Sequence, residues 1–238
     1  MPSSPRVPSH PSSRHPAFSL VEVLVTIAVL GVIMAILLPA VSRIRLSANT
    51  SKSVSNMREI GIATQLYIGE HNGRLPNRSN AEWKGPFWPD ILAAYLPEEE
   101  TDIISFRGTP MTINPVMTDP LMEDGQHHPI SDYGINSDVF LAVPSDEQRA
   151  AGAREFGMIT DVPDPSRLVA FVTAESTKYD PPIGSFFFDS SNYVFNPDRD
   201  VRPSSRQIGA MLTLFFDGHL EKIPEQEFID RRRELLVP

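Results

Sequence analysis

Residues Phe18 to Val41 read FSLVEVLVTIAVLGVIMAILLPAV, and the one ionisable side chain in the run is Glu22. At about 1.5 Å rise per residue, a helix of this length crosses the ~30 Å hydrocarbon core of a bilayer. A carboxylate is costly in such surroundings unless it reaches the interface or meets a cation, so an acid within a span marks a functional position. Glu22 lies near the start of the run. There it can reach the interface on a lone helix, or pair with a cation on a neighbouring one.

Working outward, residues 1–17, MPSSPRVPSHPSSRHPA, form a basic leader rich in Pro and Ser. Its composition favours extended or disordered chain and lacks an apolar region of its own. Arg6 and Arg14 give it a positive bias, which predicts a cytoplasmic N-terminus and an extracytoplasmic C-terminal bulk. Past the run, residues 42–73 predict an amphipathic continuation of the same helix. Val54, Met57, Ile60, Gly61, Thr64, Tyr67 and Ile68 recur at three- and four-residue steps, and Lys52, Arg58 and Glu70 lie opposite them. Asn72-Gly73 followed by Pro76 is a stop signal.

Residues 74–238 predict one globular domain. Pro89 to Pro97 reads as a short helix opened by proline, with Trp83, Phe87 and Trp88 over the core. Residues 98–130 read as a long loop with a short strand at Met111–Ile113. Ser145 to Gln148 has capping-box spacing and opens a short helix. Strands are expected at Met158-Ile159 and over 168–173. A hairpin is expected over 186–195 around Asp189 to Asn192, and another over 211–223, where Asp217-Gly218 suits a type I′ turn. Pro224 precedes a last helix, Glu225 to Leu236, with Phe228, Ile229 and Leu235 on one face and its charges matched to the helix dipole. The fold class is α+β, a long N-terminal transmembrane and amphipathic helix packed on a small antiparallel sheet.

The stretch Ala17-Phe18-Ser19-Leu20-Val21-Glu22, with the apolar run and Pro39 behind it, resembles the N-terminal signal of type IV pilins and type II secretion pseudopilins. The resemblance implies that a prepilin peptidase cuts between Ala17 and Phe18 and methylates the new amino terminus. It implies that Glu22 meets that terminus on a neighbouring subunit, and that the helix loosens around Pro39 on assembly. It further implies partnership with other pilin-like subunits and the assembly machinery, in or on a bacterial inner membrane. One departure is Ala17, where the family usually has Gly. Asp132-Tyr133-Gly134-Ile135-Asn136 resembles a Y-G-x-N element of a bacterial subfamily of these proteins. Gln207 and Asp217-Gly218 resemble that subfamily's C-terminal His-x9-Asp-Gly motif, with Gln207 in place of His.

The sequence argues against several other chemistries. With no cysteine, disulfides, thiolate zinc sites and cysteine nucleophiles are excluded. A net charge of −9 without a basic stripe argues against nucleic acid. Glu98 to Glu100 reads as a solvated loop. His127-His128 beside Glu123 and Asp124 lacks the spacing of a helical zinc site. Asn196, Asp198 and Asp200 alternate as oxygen ligands do, and they are the weak calcium candidates. No nucleophile motif or phosphate loop occurs, so the reading is a structural subunit, not an enzyme, with no cofactor. The alternative is a membrane-anchored binding or sensor module that does not polymerise.

Overall fold

The computed structural model describes residues 19–79, 86–97, 102–106, 108–141, 146–152, 157–188 and 200–236. Two compact units meet between Arg45 and Leu46. Helix α1, Leu20–Glu70, includes Pro39 in its interior. Its first part is apolar and unburied, with no residue of its most hydrophobic window covered by protein, and it is long enough to cross a membrane. The helix closes where the sequence predicts. Asn72 (φ 55°) and Gly73 (φ 82°) take left-handed backbone, and the Gly73 N–H bonds the Ile68 carbonyl at 2.9 Å, satisfying an orphan acceptor of the last turn.

The second unit is built on one sheet. Its strands are β3 (Tyr133–Asn136), β4 (Val169–Ser176), β5 (Ile183–Gly184), β6 (Phe187–Phe188), β7 (Val201–Pro203), β8 (Ala210–Phe215) and β9 (Leu220–Pro224). The order is β6-β3-β4-β8-β9, with β5 and β7 also on β4. Pairings are antiparallel except β3 with β6, which is parallel. Alternation along β8 shows how both faces are filled. Leu212 and Leu214 join Met57 and Ile60 of α1 in one core. Met211 and Phe215 join Phe228, Leu235 and Leu236 of the C-terminal helix α4 (Glu225–Leu236) in another. Each such buried side chain contributes about 1.5–3 kcal/mol.

Several elements differ from the sequence reading. The stretch read mostly as loop contains a hairpin, β1 (Asp102–Phe106) with β2 (Thr109–Ile113), where Gly108 at φ 82° makes the turn. Met158 forms only a bridge to Arg74, and Ile159–Asp161 is a 3-10 turn rather than a strand. The short helix α2 (Trp88–Leu92) begins one residue before its proline, and a 3-10 turn follows it. Helix α3 (Asp146–Ala150) is present, while Ser145, its expected cap, lies outside the described residues. So do Trp83, Glu98 to Glu100 and the strand expected at Tyr193 to Phe195. Phe187 and Phe188 lie beside β3, and the rest of the hairpin expected there, from Asp189 on, is outside the described residues.

Candidate functional site

The buried face of α1 is not purely apolar. Ser53 and Asn56 are as buried as Met57 and Ile60, and periodicity in apolar residues alone misses both. Their partners explain the burial. The Ser53 hydroxyl lies 3.3 Å from the Tyr133 hydroxyl and accepts a bond from Gln207 Nε2 at 2.8 Å. Asn56 Nδ2 donates to the Thr118 carbonyl at 2.9 Å. Burial, with the Asp119 charge adding to it, pushes the Tyr133 hydroxyl well above its usual pKa, which leaves it a neutral hydrogen-bonding group.

Tyr133, Gly134 and Asn136 of the Y-G-x-N element each have a distinct task on β3. Tyr133 reaches α1. Gly134 allows close approach, because a Cβ there would lie 2.7 Å from Ala174 Cβ. Asn136 Nδ2 donates to the Val169 and Leu236 carbonyls, both at 3.0 Å, tying the sheet to the end of α4. Beside them runs a buried charge cluster. Arg206 pairs with Asp119 at 3.2 Å and donates to the Ala174 and Asp132 carbonyls. Asp132 accepts from Asp119 N–H and His128 N–H, and its Oδ2 lies 2.6 Å from His127 Nδ1.

Gln207 and Asp217-Gly218 therefore bracket a strand held on α1 at two places. At one end Gln207 holds Ser53. At the other, Gln65 Nε2 donates to the Phe216 carbonyl at 2.9 Å. Between them Gly61 admits Leu214, whose Cδ2 would lie 2.9 Å from a Cβ at that position. From Ser53 to Gln65 is about 18 Å of helix, and the five steps of β8 cover about 17 Å of strand between the two attachments. The hairpin is present, but its turn is not type I′. Only Gly218 has positive φ, at 91°. Gly218 N–H bonds the Phe215 carbonyl and Phe215 N–H bonds the His219 carbonyl, both at 3.0 Å, the pattern of a three-residue loop with a glycine bulge. The longer loop lets Phe216 leave the ladder and bond the Leu168 carbonyl. Partial burial pushes the Asp217 carboxyl up, but the bonds from His219 outweigh it and hold the pKa below the usual value.

The described residues weighed for metal chemistry do not converge. His127 faces Asp132, whose bond raises its pKa against the effect of partial burial. His128 accepts from Ile130 N–H at 3.1 Å, and burial lowers its pKa to about 4. Glu123 is taken up by Gln126. Among the described residues no three His, Cys, Asp or Glu side chains are grouped to hold a metal. Asn196 and Asp198 lie outside the described residues, and the Asp200 carbonyl accepts from Thr177 N–H at 2.7 Å.

At the N-terminal end, the carboxylate that looked costly has a local partner. Glu22 Oε2 accepts from Ser19 N–H at 3.0 Å, and the Ser19 hydroxyl accepts from Val21 N–H at 3.3 Å. Ser19 and Glu22 thus make a capping box, and the positive end of the helix dipole favours the acid there. The S-x-x-E spacing signals this and was legible in the sequence. Pro39 removes the donor that the Ala35 carbonyl would otherwise receive. Ala17 and Phe18 lie outside the described residues. Residues 12–38 match the model of the prokaryotic N-terminal methylation motif.

The segment is a prepilin-type signal. The match takes in Ala17, Phe18 and Glu22 and ends one residue before Pro39. With the exposed apolar part of α1 behind it, the prepilin-type signal fits a chain anchored in an inner membrane. Neither the curated proteins nor the solved structures contain a match to the chain.

Proposed function

We propose that the chain is a pilin-like or pseudopilin-like structural subunit. In this reading a prepilin peptidase cuts between Ala17 and Phe18 and methylates the new terminus. The mature chain then joins a type IV pilus or type II secretion pseudopilus, with its N-terminus on the cytoplasmic side and its body in the periplasm. The observation that carries the reading is the capping box inside the matched signal. It holds the Glu22 carboxylate on the N–H of Ser19, the residue next to the amino group that cleavage would create. Cleavage before Phe18 would create an ammonium one residue from the N–H that Glu22 holds, which supports the reading. A neighbour's ammonium brought to the same depth would meet an oriented carboxylate, and burial of the apolar helix among sister helices would supply the assembly energy. The role is one of scaffold and assembly, not of catalysis.

Mass spectrometry of the mature N-terminus is the direct test, and the expected terminus is N-methyl-Phe18. Crosslinking in the membrane should give periodic multimers, and Glu22→Ala should insert normally but fail to join them. A methylated terminus without multimers would instead indicate an anchored module that does not polymerise. An intact leader would defeat the processing step on which the reading depends.

A further inference from the structure

A cavity of about 490 Å³ opens on the body, with Phe106, His128, Ser176, Lys178, Phe186 and Phe187 in its wall. The volume falls within the ~300–1,000 Å³ usual for small-molecule sites. Its apolar wall is aromatic. Phe106 and Phe186 meet edge to face at 6.4 Å between centroids, and the His128 ring lies 5.0 Å from that of Phe186. Set into this wall are groups that the fold does not use. Ser176 is only 7 % exposed, yet its hydroxyl makes no hydrogen bond among the described residues. Its oxygen opens to the cavity rather than being sealed in the interior, so it is available to a ligand. His128 takes the Ile130 N–H on Nδ1, which puts its own proton on Nε2, and Nε2 has no partner among the described residues. Lys178 is exposed at the same wall and forms no ion pair among the described residues. The wall thus offers a hydroxyl, an imidazole N–H and an ammonium, and the described lining holds no carboxylate.

We propose that this cavity binds a small aromatic monocarboxylate, with its ring among Phe106, Phe186 and Phe187 and its carboxylate received by Ser176, His128 and Lys178. The aromatic wall selects a flat apolar body. Three donors without an opposing acid select an anion over a cation or a neutral hydrocarbon. This site goes beyond the pilin-like reading and does not depend on it, since every wall residue belongs to the body.

The test is isothermal titration of the full chain in lipid nanodiscs with 3-phenylpropionate, with empty nanodiscs as the blank. One saturable site is expected, and 2-phenylethylamine should bind at least about tenfold more weakly. Ser176→Ala, His128→Phe and Lys178→Gln should each weaken binding about tenfold, the loss expected for one hydrogen bond to a charged group. Lys222→Gln, on β9, should leave binding unchanged. Ser176→Ala removes a hydroxyl that faces the cavity and makes no bond among the described residues, and His128→Phe keeps an aromatic ring, so thermal unfolding of these variants should show an intact body. The proposal is overturned if folded wild-type chain shows no saturable binding, if the amine binds as well as the acid, or if none of the three substitutions changes affinity.

Discussion

Glu22 serves two ends that a single substitution can separate. As a cap it needs only an acceptor for the Ser19 N–H, and as an assembly residue it needs a negative charge. Glu22→Gln keeps the acceptor and removes the charge. It is expected to leave helix content and membrane insertion as in the wild type, within about 0.5 kcal/mol, while multimers are lost as in Glu22→Ala. Multimers formed normally by Glu22→Gln would assign the residue to capping alone. Gln207 poses a similar question. Its Nε2 holds Ser53 in a buried position, which a histidine N–H can also do. Gln207→His should therefore unfold within about 1 kcal/mol of the wild type, whereas Gln207→Leu should lose about 1–2 kcal/mol in chemical denaturation. At this scale the sequence singled out Glu22 and Gln207 without showing their partners. Glu22 stands out in the sequence as an isolated acid, while its cap is signalled only by the S-x-x-E spacing. Ser53 and Asn56 escaped because a buried polar residue on a helix is visible only through its distant partner.

Among the elements, the fit of β8 to α1 and of β3 to β4 depends on two glycines that serve as contact surfaces. Gly134 faces Ala174 Cβ and the Phe187 backbone, neither of which can move aside cheaply. Gly134→Ala should cost about 1–3 kcal/mol, read as a lower denaturant midpoint. Gly61 faces the flexible end of Leu214, so Gly61→Ala should cost less. The ordering of the two variants is the sharper measurement. The elements were largely legible. The long helix and its stop, β4, the β8–β9 hairpin and α4 all follow from periodicity, caps and turn residues. The misses have a common cause. The β1–β2 hairpin lacks strong alternation, the parallel β3–β6 pairing joins segments distant in sequence, and the type of the Asp217-Gly218 turn was decided by where Phe216 has to pack.

For the whole molecule, His127 and His128 adjust stability against pH in opposite directions. The His127 pKa is raised by Asp132, so its contribution is fully present below the ordinary value near 6.5 and fades as pH rises through the raised one. His128 is held neutral, with its pKa lowered to about 4. Its environment therefore stabilises the fold above pH 6.5, and that stability is lost as pH falls from 6.5 through 4. The loss for His128 approaches roughly 3 kcal/mol at the acid end, from about 1.4 kcal/mol per pKa unit. His127 is more exposed and offsets only part of it. Chemical denaturation at pH 7, 5.5 and 4 should show stability falling, and His128→Phe should flatten the fall. An unchanged slope in that variant would place the acid sensitivity elsewhere. None of this was legible in the sequence, where two adjacent histidines look alike. The fold separates them by giving one a carboxylate and the other an aromatic wall.

The bond from Gln207 to Ser53 joins residues 154 apart in the chain. At synthesis rates of about 5–20 residues per second, the helix must wait roughly 8–30 s for the strand that completes its polar face. Asn56 can meet the Thr118 carbonyl 62 residues on and Ser53 the Tyr133 hydroxyl 80 residues on, so the bond from Gln207 is the last of the three to become possible. Chains cut short before Gln207 would never make that bond, so the polar face of α1 closes only once the segment leading into β8 has been made.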